Sequence, residues 1–178
     1  LTSKNQFEAA CSGRTFRNFC IKRDGNVNTS HILAFSTCLK TTFRDMLSVD
    51  MTQGPIAEHV DYPVRADVSA CITISSKAPA CVVLAFDADS AMDAAERFTQ
   101  TKSPFEDPMV GDTAREILNI LVGSAQREIS EKFEFSLPIS IQGRNHEVSC
   151  FRKGRNIFCD LHWGTGKKAT LFLNLPAL

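Results

Sequence analysis

The apolar positions of the chain fall into two rhythms, one of three to four residues and one of two. Ile32, Phe35, Leu39, Phe43 and Met46 recur with the first rhythm, which predicts a helix over roughly 31–48 with Ser30 as its N-cap. Gly54-Pro55 closes that stretch, and a polar connection follows. Residues 67–74 and 80–86 are dense in Val, Ile and Cys, so they read as two strands buried on both faces, joined by a turn over 75–79. Asp87 and Asp89 precede Ala91, Met92, Ala94, Ala95 and Phe98, which predicts a capped helix over about 89–101, broken by Pro104 and Pro108.

The clearest pattern is a third helix, over about 110–132. Ala114, Ile117, Leu118, Leu121, Val122, Ala125 and Ile129 form one apolar stripe along it. Pro138 marks the exit into a strand near 139–142. Beyond it, strand-like stretches at 147–152, 156–163 and 169–175 alternate with turns at Gly143-Arg144-Asn145, Lys153-Gly154-Arg155 and 164–167, the pattern of an antiparallel meander. Helices on one face of a mostly antiparallel sheet give an α+β fold.

Residues 1–29 differ from the rest. They are polar and turn-forming around one apolar patch, 16–21, with Asp24-Gly25 as a hairpin signal, and they read as an N-terminal extension or linker remnant ahead of a single domain, 30–178. A chain of 178 residues has room for one such core and little more. It opens on Leu1 rather than Met, which reads as a piece cut from a longer protein, with room for a domain upstream.

Charge changes the picture by exclusion. Lys plus Arg number 20 and Asp plus Glu number 20, so no net basic excess points to nucleic acid or to an anionic membrane surface. No apolar run approaches the roughly 20 residues needed to cross a bilayer. Seven cysteines, an odd and scattered set, read as reduced thiols of a cytoplasmic protein.

Candidate chemistry lies on the third helix. At about 100° per residue, Glu116, Asn119 and Gly123 fall within about 60° of one another, opposite the apolar stripe, with Ile120 beside them. Asn is a weaker helix former than Ala, and a mid-helix Gly costs about 1 kcal/mol, so this ridge is less favourable than a solvated face of Glu and Lys. An ordinary exposed face, with Gly123 admitting a neighbouring element, would account for the pattern equally simply.

Resemblance separates the two readings. The run 111–125 contains Glu116-x-x-Asn119 followed by Gly123-x-Ala125, and it resembles the signature helix of the CheC, CheX and FliY chemotaxis phosphatases. The leading helix, Asp67-Val68-Ser69, the strand 80–86, and Leu137-Pro138-Ile139-Ser140-Ile141 followed by Gly143 and His146-Glu147 are similar to CheX in order and spacing, from about His31 to Leu178. CheC-type members carry a second Glu-x-x-Asn on the first helix. Residues 36–41 have none, so the chain resembles the one-site CheX type, with Arg115 bulkier than the pattern suggests.

The resemblance implies a CheC/CheX-like fold and hydrolysis of the aspartyl phosphate on a CheY-like response-regulator receiver, in chemotaxis or two-component signalling. Asn119 would position the attacking water, Glu116 would pair with a receiver lysine, and Ile120 and Gly123 would touch the partner. The chain itself would bind no cofactor, the Mg²⁺ being supplied by the phosphorylated receiver. A homodimer joined through the sheet belongs to the same pattern. The alternative is a non-catalytic receiver-binding, adaptor or dimerisation module on the same fold.

Rival sites fail on spacing. Cys159 and His162 stand three apart but have no second pair to complete a zinc site. Asp87, Asp89 and Asp93 lack the ligand and the glycine that a calcium loop needs where Ala91 and Met92 stand. Gly164-Thr165-Gly166-Lys167-Lys168 lacks the hydroxyl and upstream glycine of a phosphate loop and reads as a basic turn. His31, His59, His146 and His162 are scattered and assemble into no catalytic arrangement in sequence.

Overall fold

The computed structural model of the protein describes residues 28–59, 63–75, 80–129, 133–149 and 154–176. The apolar patch at 16–21, the Asp24-Gly25 turn, and Cys11, Cys20 and Cys150 lie outside the described residues. Among the described residues, three helices and seven strands follow one another in the order α1 (Asn28–Leu47), β1 (Thr52–His59), β2 (Val64–Ser75), β3 (Ala80–Phe86), α2 (Ala88–Thr99), α3 (Pro108–Glu128), β4 (Glu134–Phe135), β5 (Ile139–Val148), β6 (Gly154–Trp163) and β7 (Lys167–Pro176). All pairings are antiparallel, and the strands form one sheet in the order β1-β6-β7-β3-β2, with β5 and the short β4 both on the free side of β2. This is the α+β architecture expected of the sequence, and the helices occupy one face of it.

The core sits between that face and the helices. Val68, Ala70, Ile72 and Ile74 of β2, Val82 and Leu84 of β3, and Ala169, Leu171 and Leu173 of β7 meet Ile32, Phe35, Leu39 and Phe43 of α1 and the stripe of α3. Alternate residues point the other way, where Val83, Ala85, Val64, Ala66, Val148 and Phe172 form a second buried cluster. The expected burial of β3 on both faces is therefore observed.

Several boundaries differ from the expectation, each for a local reason. Ser30 lies inside α1, which is already helical at Asn28. Pro108 opens α3 rather than breaking α2: it occupies the first turn, where its missing N–H costs nothing, behind the N-cap Asp107. The polar stretch after Gly54-Pro55 is a strand, β1, an edge strand whose register against β6 shifts between Gln53 and Ile56. An edge and a bulge are the places where a sheet accepts Pro.

Gly143-Arg144-Asn145 does not end a strand either. β5 runs through it with Asn145 at φ 55° and a register shift opposite Ala66 to Val68, so 139–142 and 147–148 belong to one bulged strand. Nor is the C-terminal third a meander: β6 and β7 form a hairpin, but β2, β3 and β7 separate β5 from β6 in the sheet. The hairpin turn places Gly164 at φ 48° and Gly166 at φ 71°, conformations that glycine adopts without strain.

Asp87 caps α2 by accepting from the Ser90 amide at 2.8 Å, and Asp67 of β2 accepts from the Ala88 amide at 2.9 Å. The Ser90 hydroxyl accepts from the Lys168 amide of β7, so the helix start is tied to the sheet by two bonds, one to β2 and one to β7. At the same end of the core, Phe43, Phe86 and Trp163 pack with ring centroids 5.2–6.5 Å apart. The Trp163 indole N–H donates to Asp93 Oδ2 at 2.7 Å, and Arg97 Nε donates to the same oxygen at 2.8 Å. Burial of Asp93 by itself would raise its pKa, but these two donors favour the charged form and hold it below its ordinary value. Cys38 and Cys159 are unbridged thiols, and burial pushes Cys159 up to about 11.

A carboxyl whose pKa is depressed by folding stabilises the protein above its unfolded pKa of about 3.9, and that stability is lost as the pH falls through the folded value. Asp93→Asn is therefore expected to cost about 1–2 kcal/mol near pH 7 and progressively less below about pH 4. Thermal unfolding followed by the fluorescence of Trp163, the sole tryptophan, measures it at both pH values.

Candidate functional site

α3 lies over β2 and packs against both α1 and α2. Ile117, Leu118, Leu121, Val122 and Ala125 are fully buried, and the opposite face is open. Each such side chain contributes about 1.5–3 kcal/mol on burial, so rotating the helix to hide its polar ridge would forfeit the whole stripe. Packing on one side therefore decides what stands on the other.

On that open side Glu116 is exposed, and Asn119, Ile120 and Gly123 are half-buried. The structure brings all four together on one ridge, as the periodicity requires. Neither the Glu116 carboxylate nor the Asn119 amide bonds to another described side chain, so both keep their full hydrogen-bonding capacity. Arg115 turns away from the motif and pairs with Asp112, one turn toward the N-terminus, at 3.1 Å.

Gly123 distinguishes the ridge from an ordinary solvated face. A Cβ built there meets, apart from its own helix backbone, no atom of another described residue within 4 Å. No neighbouring element of the described fold needs the missing side chain, although a helix would be more stable with Ala at that position.

The other candidate residues have structural explanations. Cys159 is buried on the helix-facing side of β6, whereas His162 is exposed on the other, so no ion could be shared between them. Asp87 caps α2, Asp93 holds Arg97 and Trp163, and Asp89 lies exposed in the first turn of α2. Among the described residues no three His, Cys, Asp or Glu side chains cluster to hold a metal. The fold does bring His146 and Ser69 together at 2.8 Å, with His146 Nδ1 donating to the Gly143 carbonyl at 2.7 Å. That bond makes Nε2 an acceptor for the serine hydroxyl, but Ser69 is wholly buried, out of reach of a substrate. Arg144 lies over the Phe105 ring at 4.6 Å.

Sequence reasoning missed Gln142, whose amide reaches α3 from β5: Oε1 accepts from the Gly111 amide, and Nε2 donates to the carbonyls of Phe105 and Asp107. Nothing in a strand pattern singles out one glutamine for such a contact. Its signal would have been the glycine it faces.

A two-layer α+β domain with its helices on one face of an antiparallel sheet is the architecture of the CheC/CheX-like chemotaxis proteins. The chain belongs to the chemotaxis phosphatase CheX family, whose pattern it matches over residues 68–162, from β2 through β6. Comparison with curated proteins finds no match. Solved structures share the fold. A CheC-like superfamily protein from Shewanella sp. PV-4 superposes with a TM-score of 0.77 at 18% identity, over 85% of this chain and 100% of the other. The chemotaxis protein CheX of Vibrio vulnificus gives 0.75 at 19%, over 82% and 99%. The CheX–CheY–BeF3–Mg²⁺ complex of Borrelia burgdorferi gives 0.69 at 17%, over 83% and 98%. No helix among the described residues is long and apolar enough to cross a membrane.

Because the space at Gly123 is open, Gly123→Ala is expected to raise stability by about 0.5–1 kcal/mol in chemical denaturation. A loss of stability instead would mean that an intrachain neighbour requires the glycine.

Proposed function

We propose that this domain, residues 30–178, hydrolyses the aspartyl phosphate of a CheY-like receiver, with Asn119 and Glu116 as the site. The observation that carries the reading is the ridge: two polar side chains with no partner among the described residues, at the spacing of the family resemblance, on a helix locked by its buried face, next to a glycine with no other described residue close to it. Borrelia CheX, solved with CheY, BeF3 and Mg²⁺, supports a receiver as the partner.

The chemistry asks little of the helper. An acyl phosphate is labile, so positioning water in line supplies most of what is needed. The Asn119 amide accepts one hydrogen bond from the water and can donate another, aiming its lone pair at phosphorus. A water oxygen–phosphorus bond forms, the bond from phosphorus to the aspartate oxygen breaks, and inorganic phosphate and the receiver's carboxylate remain. Glu116 pairs with a receiver lysine and holds the ridge over the site, while Ile120 and Gly123 let the surfaces close. The Mg²⁺ is the receiver's, and this chain contributes no cofactor.

The same reading includes a homodimer joined through the sheet. β5 is an edge strand, and Ile139 and Ile141 on it, with Leu137 just ahead of it, are 61%, 42% and 88% exposed, with no charged side chain from 136 to 143. Edge strands that stay unpaired usually carry charges that block association.

Asn119→Ala is expected to leave folding and receiver binding nearly intact and to slow the accelerated decay of the phosphorylated receiver at least about tenfold, or about 1.4 kcal/mol of barrier. Glu116→Ala is expected to weaken the complex as well, and added salt to mimic it in part, because an interfacial ion pair is screened and a positioned water is not. A wild-type domain that binds the receiver and leaves its decay unchanged would establish the adaptor instead.

Ile139→Lys is expected to convert the dimer to monomer in light scattering while the circular dichroism stays that of the wild type. A wild type already monomeric at tens of micromolar removes the dimer from the reading.

A further inference from the structure

The first turn of α3 is built unlike that of α2. In α2 the Ala91 amide donates to the carbonyl of the N-cap Asp87 at 3.0 Å, the ordinary first bond of an α-helix. The equivalent amide in α3, Gly111 N–H, donates instead to Gln142 Oε1 at 3.0 Å. The N-cap carbonyl of Asp107 takes the Val110 amide at 3.0 Å and Gln142 Nε2 at 3.1 Å. The same Nε2 also donates to the Phe105 carbonyl. A side-chain amide has the donor and acceptor of a peptide unit, and here it is spliced into the helix start between the cap and the fourth residue.

Two sequence features make room for it. Gln142 pairs with Val68 across β5 and β2, so its side chain points to the helix face of the sheet, beneath the start of α3. Gly111 is the residue it meets: a Cβ there would stand 2.8 Å from Gln142 Oε1 and 3.4 Å from Ser140 Oγ. A side chain at position 111 would thus push the Gln142 amide away from the Gly111 N–H that it accepts from.

We infer that Gln142 is a positioning residue: it locks the first turn of α3 to β5 and so sets how the ridge stands relative to the loop ahead of it. This rests on the receiver-phosphatase reading for its functional half. Glu116 and Asn119 are fixed to each other by their own helix, so loosening the lock leaves their mutual geometry alone. What changes is their relation to Glu106, exposed in the loop ahead of α3, and to the rest of that loop, which Arg144 holds through Phe105. Docking depends on both surfaces at once, whereas the step after docking depends on the ridge.

The test combines three variants with two readouts. In the wild-type background Gly111→Ala is expected to lower the Tm, because its methyl group displaces the amide. In the Gln142→Ala background the same substitution is expected to raise the Tm, since Ala is then simply the better helix former. Gln142→Ala alone is expected to speed hydrogen exchange of the Gly111 amide at least about tenfold. In the decay assay with a phosphorylated receiver and Mg²⁺, it is expected to raise KM about fivefold or more with kcat within about twofold. A merely structural role would do the reverse, lowering kcat in step with the folded fraction and leaving KM alone.

Equal Gly111→Ala effects in both backgrounds, or an unchanged Gly111 exchange rate, overturn the lock whatever the assay shows. A wild type that neither binds nor dephosphorylates the receiver overturns the docking role together with the reading it rests on, and the Tm and exchange results then show separately whether the lock exists.

Discussion

The burial of one face of α3 against the sheet is the interaction on which the rest of the structure depends. Ile117, Leu118, Leu121 and Val122 have no exposed surface, and they are flanked by α1 on one side and α2 on the other. A turn of the helix by one residue would take several of these side chains out of the core and drive Asn119 or Glu116 toward it, and the two losses reinforce each other. The ridge is rigid because the alternative orientations of its helix are each worth many kcal/mol less, and it needs no bonds of its own to stay in place.

Orientation about the axis leaves tilt and endwise position open, and polar contacts supply those. Asp107 accepts from the Met109 amide at 2.9 Å, Gln142 bridges the same turn, and at the far end Gln126 Nε2 donates to the Phe133 carbonyl at 2.5 Å. α2 is held in the same manner by Asp67, Asp87 and Ser90. Half of these contacts join segments distant in sequence, and four of them take up amides of the first turns of α2 and α3. Fold stability and site geometry are thus served by the same groups.

The family relation and the physical reading meet at Gly123. A glycine in mid-helix is a local cost without a local reason, since the described chain has nothing near it. A surface that another protein approaches closely gives it one. Asn119, Glu116 and Ile120 beside it are respectively a two-way hydrogen-bonding group, a charge and an apolar contact, the set of functions that the proposed docking onto a receiver would use.

Periodicity alone determined the three helices, the paired strands β2 and β3, the α+β class and the ridge, because a long amphipathic stripe has only one favourable way to face a core. The family motif on that ridge was legible for the same reason: its residues are close in sequence and share one element. Tertiary structure decided the rest. β1 exists because β6 offers an edge to a segment whose Gly54 and Pro55 argue locally against a strand, and β5 stays continuous through Asn145 because β2 accommodates the bulge. The neighbours of β6 are set by sheet order, which no local pattern encodes. Gln142 reads as an ordinary strand residue until the fold lays it against Gly111, since a bond between residues so far apart is specified by the packing of the elements that carry them.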